Sequence, residues 1–503
     1  MKTITTRDIE DMHPINVLSE SDVYFAQLAR KILNELRRNK LIVDNFSEWL
    51  RDISLKSVAY FEDVISGLGL FAGLRKMHGQ MFGKKLPFLT FGSDYLDDEI
   101  NIEDLQFLIW TIIQESVNES DDMQFLNVEN PGIRLIASMI INILEEEYET
   151  APENEKLHYW LHEYSYDDFF KFRTLLSWLH YDSYLSMNYP NKAIESSLQE
   201  LKKRPGNNLP ISKEQFLYFL KSNRIFFAVC TPLAVKATDW WKAITVNEEI
   251  INILNATEYR PHSFYRIKES NDTVIKISPI LNDMETLDMD CNSFEGKNDG
   301  KDKETIHTAL VKFKDLWQVN GFMLFADGAD DKIKTEKTEK EKDEKKKDGI
   351  LFTYEKIMKH TKNKPLVFFK TFNEWFDFWT TVFPDLPNKD DLYKTSPLKN
   401  EENLGMFIHK TAGTFTIPCI ARVIKTPNNK LYDKKMADKH GITLLCGLYS
   451  VPLELLEYII KNNLLPDVKL NSLKGEAHGK WLVQDNMRFI IRFFQPELFN
   501  GNI

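Results

Sequence analysis

From Ser21 to about Tyr259, apolar residues return every three or four positions. In "SDVYFAQLARKILNELRRNKL", Phe25, Leu28, Ile32 and Leu36 share one side of a 3.6-residue turn and the charges take the other, which predicts an amphipathic helix. Further helices are predicted at about Ser47–Phe71, Ile102–Val117, Pro131–Glu147, Glu155–His180, Ala193–Lys203 and Ser212–Phe227, punctuated by Gly, Pro and Asn as in "KKRPGNNLP". At Pro261 the period shortens. "HSFYRIKESNDTVIKISPI" alternates in two short runs around "SND", and "ETIHTALVKFKDLWQVNGFMLFAD" reads as two more strands joined near Val319–Gly321. These runs suffice for a small sheet or compact barrel.

The pattern then stops. "DDKIKTEKTEKEKDEKKKD", Asp330–Asp348, sets eight lysines against eight acids and cannot bury enough surface to offset chain entropy, which predicts a solvated linker or exposed helix. Beyond it, "KPLVFFKTFNEWFDFWTTVF" reads as a strand entering an aromatic amphipathic helix, and "NLGMFIHKTAGTFTIPCIARVI" as a hairpin followed by a short helix. "VPLELLEYIIKNNLLPD" and "GEAHGKWLVQDNMRFIIRFF" read as two terminal helices. The expected class is multi-domain α+β: an N-terminal extension (1–20), a helical domain (21–259), a β module (260–328), a charged linker (329–349) and an α+β C-terminal domain (350–503).

At 503 residues the chain exceeds the usual domain size of about 100–200 residues several-fold, and 34 Phe, 18 Tyr and 10 Trp supply material for several cores. A formal charge of −11 and an excess of Lys over Arg argue against nucleic acid as a partner. Cys230, Cys291, Cys419 and Cys446 are scattered without a C-x-x-C pair, so neither a zinc ribbon nor a disulfide framework is indicated and a reducing compartment fits. The N-terminus has no apolar h-region. The most apolar stretch, Ile133–Leu144, is too short to span a membrane and contains Arg134 and Asn142. A cytoplasmic protein with no membrane segment is expected.

Several phrases resemble an uncharacterised bacterial family known as a domain of unknown function. They are "GLGLFAGLRKMHGQMFGKKLPF" (Gly67–Phe88), "DYLDDEINIEDLQFLIW" (Asp94–Trp110), "LVKFKDLWQVNGFMLF" (Leu310–Phe325), "KNKPLVFFKTF" (Lys362–Phe372) and "NNLLPDVKLNSLKGEAHGKWLVQDNMRFIIRFF" (Asn462–Phe494). The resemblance implies an intracellular bacterial protein and brings no substrate, cofactor or site residue.

Among candidate sites, Asp94, Asp97, Asp98 and Glu99 lie close enough to offer a hard cation oxygen ligands from one loop, with Lys84 or Lys85 nearby. Asn101 fits an N-cap, and Glu103 and Asp104 fit the first helical turn, where negative charge favours the helix dipole. His158 and His162 stand one turn apart, as two zinc ligands on a helix would, with Glu163, Asp167, Asp168 or His180 as a third; packing histidines are the bland alternative. Trp240 and Trp241 cannot share a helix face, so one of them is expected at a contact surface. His478 and Lys480 sit near the start of the last helix, where backbone N–H groups attract anions, and the glycines of "GLGLFAGLRKMHG" loosely resemble a phosphate loop without its G-K-[ST] ending. No cofactor is indicated. A non-catalytic interaction protein with a protein partner is expected first, a metal-dependent hydrolase of phosphate esters acting through the acidic loop second, and a nucleic-acid-binding protein third.

Overall fold

In the computed structural model of the chain, the first helix, α1 (Thr6–Glu10), is closed by Asp8, which accepts hydrogen bonds from Thr5 N and Oγ1. Helix α2 (Asp22–Arg38) buries the predicted stripe of Phe25, Leu28, Ile32 and Leu36, and Asn39 then caps α3 (Lys40–Phe46). The predicted helix Ser47–Phe71 is two helices, α4 (Leu50–Ile65) and α5 (Leu70–Phe82), because Gly67 and Gly69 turn the chain through left-handed backbone at φ 59° and 75°. Helices α6 (Ile102–Val117) and α7 (Pro131–Glu147) occupy their predicted spans. The predicted helix Glu155–His180 also divides, into α8 (Glu155–His162) and α9 (Phe169–Tyr181), where Asp168 accepts from Phe170 N and opens a new helix. Four more follow: α10 (Tyr189–Lys203), α11 (Lys213–Phe227), α12 (Ala237–Ile244) and α13 (Glu248–Ala256).

Strands β1 (Glu258–Ser270), β2 (Val274–Pro279), β3 (Leu287–Asp290), β4 (Thr305–Phe313) and β5 (Leu316–Phe325) close a barrel in the order β1-β2-β3-β5-β4. Its one parallel pairing, β3 with β5, completes the Greek-key order of an OB-type barrel. Tyr265, Ile277, Met289, Ile306, Leu310 and Trp317 fill the interior. The β4–β5 turn falls at Lys314–Asp315, with Lys314 at φ 55°, rather than near Val319–Gly321. Gly321 is left-handed too, at φ 91°, but lies within β5, beside the register shift between Thr308 and Ala309.

The structure describes residues 3–14, 20–118, 125–203, 212–271, 273–282, 284–293, 305–325, 349–385, 389–447, 451–466 and 470–501; the charged segment Asp330–Asp348 lies outside them. Two compact units emerge. Unit 1 comprises Met1–Glu119, Val128–Ile333 and Phe499–Ile503, and so holds both α1–α13 and the barrel. Unit 2 comprises Ser120–Asn127 and Lys334–Leu498. In it, helix α14 (349–360) precedes β6 (Leu366–Thr371), α15 (Phe372–Val382), α16 (Lys389–Thr395), β7 (Glu402–His409) and β8 (Gly413–Ile417), and then α17 (Lys434–Cys446), α18 (Leu453–Lys461) and α19 (Glu476–Phe494). The antiparallel sheet β6-β7-β8 packs Phe369, Leu404, Met406 and Ile408 against Ile357, Phe372 and Trp375. The fold is mixed α+β with a helical N-terminal half. Among the described residues, no single helix is long and apolar enough to cross a membrane.

Helix α19 starts close against a neighbouring segment. A Cβ on Gly479 would stand 1.9 Å from the carbonyl oxygen of Leu470, a backbone atom that cannot rotate away. Gly479→Ala is therefore expected to cost unit 2 about 1–3 kcal/mol, read as a lowered denaturant midpoint. Unchanged stability would mean that 470–479 opens without loss.

Candidate functional site

The acidic loop before α6 is held from inside. Asn101 stands at the N-cap position, but its side chain turns back to the loop, accepting from Leu96 N and donating to the carbonyls of Leu96 and Glu99 at 2.7 Å each. Asp104, expected to serve the helix dipole, instead points into the core with 1% of its surface exposed. Its Oδ2 accepts from Arg75 at 2.7 Å and from Tyr60 at 3.1 Å, and its Oδ1 from Tyr95 at 2.9 Å. Arg75 also donates to Tyr95 Oη and to the carbonyl of Asp97, which ties α5 to the loop. Burial pushes the Asp104 carboxyl up to about 6 against the pull of Arg75, Tyr95 and Tyr60. Burial likewise opposes the Arg75 charge, which Asp104 more than restores, so the pair is ionised at neutral pH.

A cleft of about 180 Å³ opens over this pair, lined by Tyr60, Asp63, Val64, Gly67, Gly69, Phe71, Ala72, Arg75, Asp97, Asp98 and Asp104. Of the four predicted loop ligands, Asp97 and Asp98 reach the cleft, while Asp94 and Glu99 do not line it. All four are exposed, and Asp97 Oδ1 holds Lys85 Nζ at 2.8 Å. The Gly-rich turn joins α4 to α5 rather than a strand to a helix, and the N–H groups at the start of α5 point back toward α4. An internal anion takes them: Asp63 accepts from Leu70 N at 2.9 Å, Phe71 N at 2.8 Å and Tyr184 Oη at 2.6 Å. Burial raises the Asp63 pKa, and those three donors oppose the rise.

His158 and His162 brace this same turn. Nδ1 of His158 donates to Ser66 O and Nε2 of His162 to Leu68 O, each at 3.0 Å, with the two rings 4.6 Å apart. Among the described residues the two belong to no group of three ligand atoms within 4.8 Å: Glu163 is 3.8 Å from His158, Asp167 pairs with Lys314 at 2.7 Å, Asp168 caps α9, and His180 is buried on α9. Trp240 and Trp241 are both fully buried, against the expectation that one would be exposed. Helix α12 is covered on two sides, and each indole donates to a carbonyl at 3.0 Å, Trp240 to Leu70 and Trp241 to Leu161. In unit 2, His478 stacks on the half-exposed Trp481, with ring centroids 5.3 Å apart, and Lys480 lies in the same turn of α19.

A second polar centre, absent from the sequence reading, forms around Glu62, the residue before Asp63 on α4. His13, Asp22 and Glu62 are 8%, 2% and 3% exposed. Nε2 of His13 is 2.9 Å from Glu62 Oε2, and its Nδ1 is 3.3 Å from Asp22 Oδ1. Burial disfavours a charged imidazole, yet Glu62 and Asp22 together outweigh it and raise the His13 pKa to about 10. Glu62 Oε1 accepts from the buried Asn154 Nδ2 at 2.8 Å, and Asn154 N donates to Ser66 Oγ at 2.8 Å, linking this centre to the Gly-rich turn. Among the described residues this is the group whose three ligand-type atoms come within 4.8 Å of one another. Only its three-dimensional meeting reveals it, because His13 lies in a stretch without periodicity.

No curated protein and no solved structure matches the chain. The family model described as "Protein of unknown function (DUF3843)" matches residues 4–268 and 313–495, which include every residue of the cleft and of the His13 centre. With most of its length matched, the chain belongs to that family, DUF3843.

Proposed function

We propose that this chain is a non-catalytic binding protein whose protein partner engages the cleft of unit 1. The supporting observation is how the cleft is wired. Arg75, Asp104 and Asp63 in its wall are engaged by tyrosines, backbone groups and one another, which makes the wall rigid, whereas Asp97 and Asp98 are exposed beside Leu96, itself 51% exposed. A preformed wall with an acidic, partly apolar mouth suits a partner side chain and saves ordering cost on binding. The cleft lining contains no Ser, Thr, Cys, Lys or His, so it offers no hydroxyl–imidazole or thiol–imidazole pair.

The hydrolase reading needs the carboxylates of the acidic loop to converge, and no three ligand atoms of that loop meet within 4.8 Å. The nucleic-acid reading gains from the OB-type strand order. Yet the outer positions of β2 and β3 carry Val274, Lys276, Asp288 and Asp290, with Lys276 paired to Glu269 at 2.9 Å, rather than rings and surplus cations.

Ala72 is exposed on α5 at the edge of the cleft, so Ala72→Trp fills the cleft without disturbing the core. Affinity capture from the native host is expected to recover a protein with the wild-type chain and to lose it with Ala72→Trp. Equal recovery by both forms, or recovery of nothing by either, would remove the cleft from the function.

A further inference from the structure

The structure assigns His13, Asp22 and Glu62 as a buried site for one divalent transition-metal ion, with a structural rather than catalytic role. The donor set is one imidazole and two carboxylates, which suits Zn²⁺, Mn²⁺ or Fe²⁺. Ligands about 2.0–2.2 Å from one ion stand roughly 3–4 Å from each other. The spacing of His13 Nε2 to Glu62, 2.9 Å, is of this size, Asp22 lies 3.3 Å from the other ring nitrogen, and one ligand-type atom from each of the three residues lies within 4.8 Å of the others. One imidazole gives an ion only one nitrogen, so binding replaces one of the two present His–carboxylate contacts and draws the third residue inward.

Three further features mark a built site. Nδ1 of His13 is buried, and its 3.3 Å approach to Asp22 Oδ1 falls short of a well-formed hydrogen bond. Charge favours an ion as well. Two buried carboxylates face one imidazole here, and the charge of a divalent ion matches theirs together. Finally, the surroundings match what ligands need. Asn154 holds Glu62 Oε1 and leaves Oε2 toward His13, as outer-shell partners of metal ligands do. A space of about 10 Å³ beside His13 and Glu62, bordered by Met12, Leu157, Trp178 and Tyr184, is of the order that one water requires, the fourth position of a four-coordinate ion. That space is too small and too deep for a substrate, which makes the ion a clasp joining the His13 segment to α2 and α4.

The test uses the full chain purified without chelators. Elemental analysis is expected to find one transition-metal ion per chain; chelation should lower the unfolding temperature, and adding back that metal alone should restore it in a concentration-dependent way. Glu62→Gln and His13→Gln are each expected to weaken binding of the added metal roughly tenfold or more, while Asp97→Asn with Asp98→Asn leaves it unchanged. If a Gln variant does not fold, Co²⁺ added to the wild-type apoprotein supplies the readout, an intense visible band from a low-symmetry nitrogen–oxygen site. Overturning results are protein with no metal and no thermal response to Zn²⁺, Mn²⁺ or Fe²⁺, no such Co²⁺ band, or undiminished binding in both Gln variants.

Discussion

Replacing Arg75 by methionine is expected to destabilise unit 1 by roughly 3–5 kcal/mol near pH 8, the usual cost of leaving one member of a buried ion pair behind. Methionine keeps the stem that packs near the rings of Phe71 and Tyr95, so the loss is mainly electrostatic. Asp104, with 1% of its side chain exposed, would then hold a charge supported only by two tyrosine hydroxyls. The pH dependence follows from the Asp104 carboxyl, already raised to about 6 by burial despite Arg75. A raised carboxyl is easier to hold protonated in the folded than in the unfolded chain, and without Arg75 it rises further. The penalty is therefore full above the variant's raised folded pKa and shrinks as the pH falls through it toward about 6, below which Asp104 is protonated in both folded forms. Denaturant midpoints at pH 8 and pH 5 measure this directly. A penalty that grows on acidification would refute the assignment, and so would Arg75→Met with Asp104→Asn being less stable than Arg75→Met alone, because the asparagine no longer strands a charge.

The same pair shows where sequence stops informing the site. Asp104 reads as a first-turn acid of α6, and its local context supports that reading. Its partner is 29 positions away on α5, and α5 exists as a separate helix only because Gly67 and Gly69 break what periodicity presents as one helix. The acids that the sequence singled out, Asp94, Asp97, Asp98 and Glu99, are exposed, and Lys85 pairs with one of them, Asp97. His13 and Glu62 are 49 positions apart, and no spacing rule links them.

The fold was more open to reading because period is a local property. Helices α6 and α7 occupy their predicted residues, since each carries an apolar stripe from end to end and a capping-type residue before it. The strand β6, the hairpin β7–β8 and the single 3-10 turn after it (Ile420–Arg422) likewise follow from alternation and from the turn residues between them. Alternation allows a compact barrel as readily as an open sheet but does not choose between them. The barrel's parallel β3–β5 pairing joins segments far apart in sequence, and the glycine that looks like its turn is a bulge, while a lysine in left-handed backbone makes the real turn.

Trp241→Ala is expected to cost roughly 3–5 kcal/mol, a value typical of a large aromatic side chain removed from a closed core. Trp241 stacks on Phe172 at 5.5 Å, meets Tyr166 edge-on at 5.2 Å, and donates to Leu161 O at 3.0 Å. Trp241→Phe keeps a ring against Phe172 and Tyr166 but strands the Leu161 carbonyl, so it should cost only about 1–3 kcal/mol. The gap between the two variants separates packing from hydrogen bonding; equal losses would mean that the N–H rather than the ring holds α12 in place. A contact tryptophan, as the sequence suggested, would give almost no loss of stability in either variant and would weaken partner capture instead. Burial of both indoles predicts the reverse for Trp241: unfolding at lower denaturant, read by tryptophan fluorescence, with partner capture by the remaining folded protein intact because Trp241 does not line the cleft.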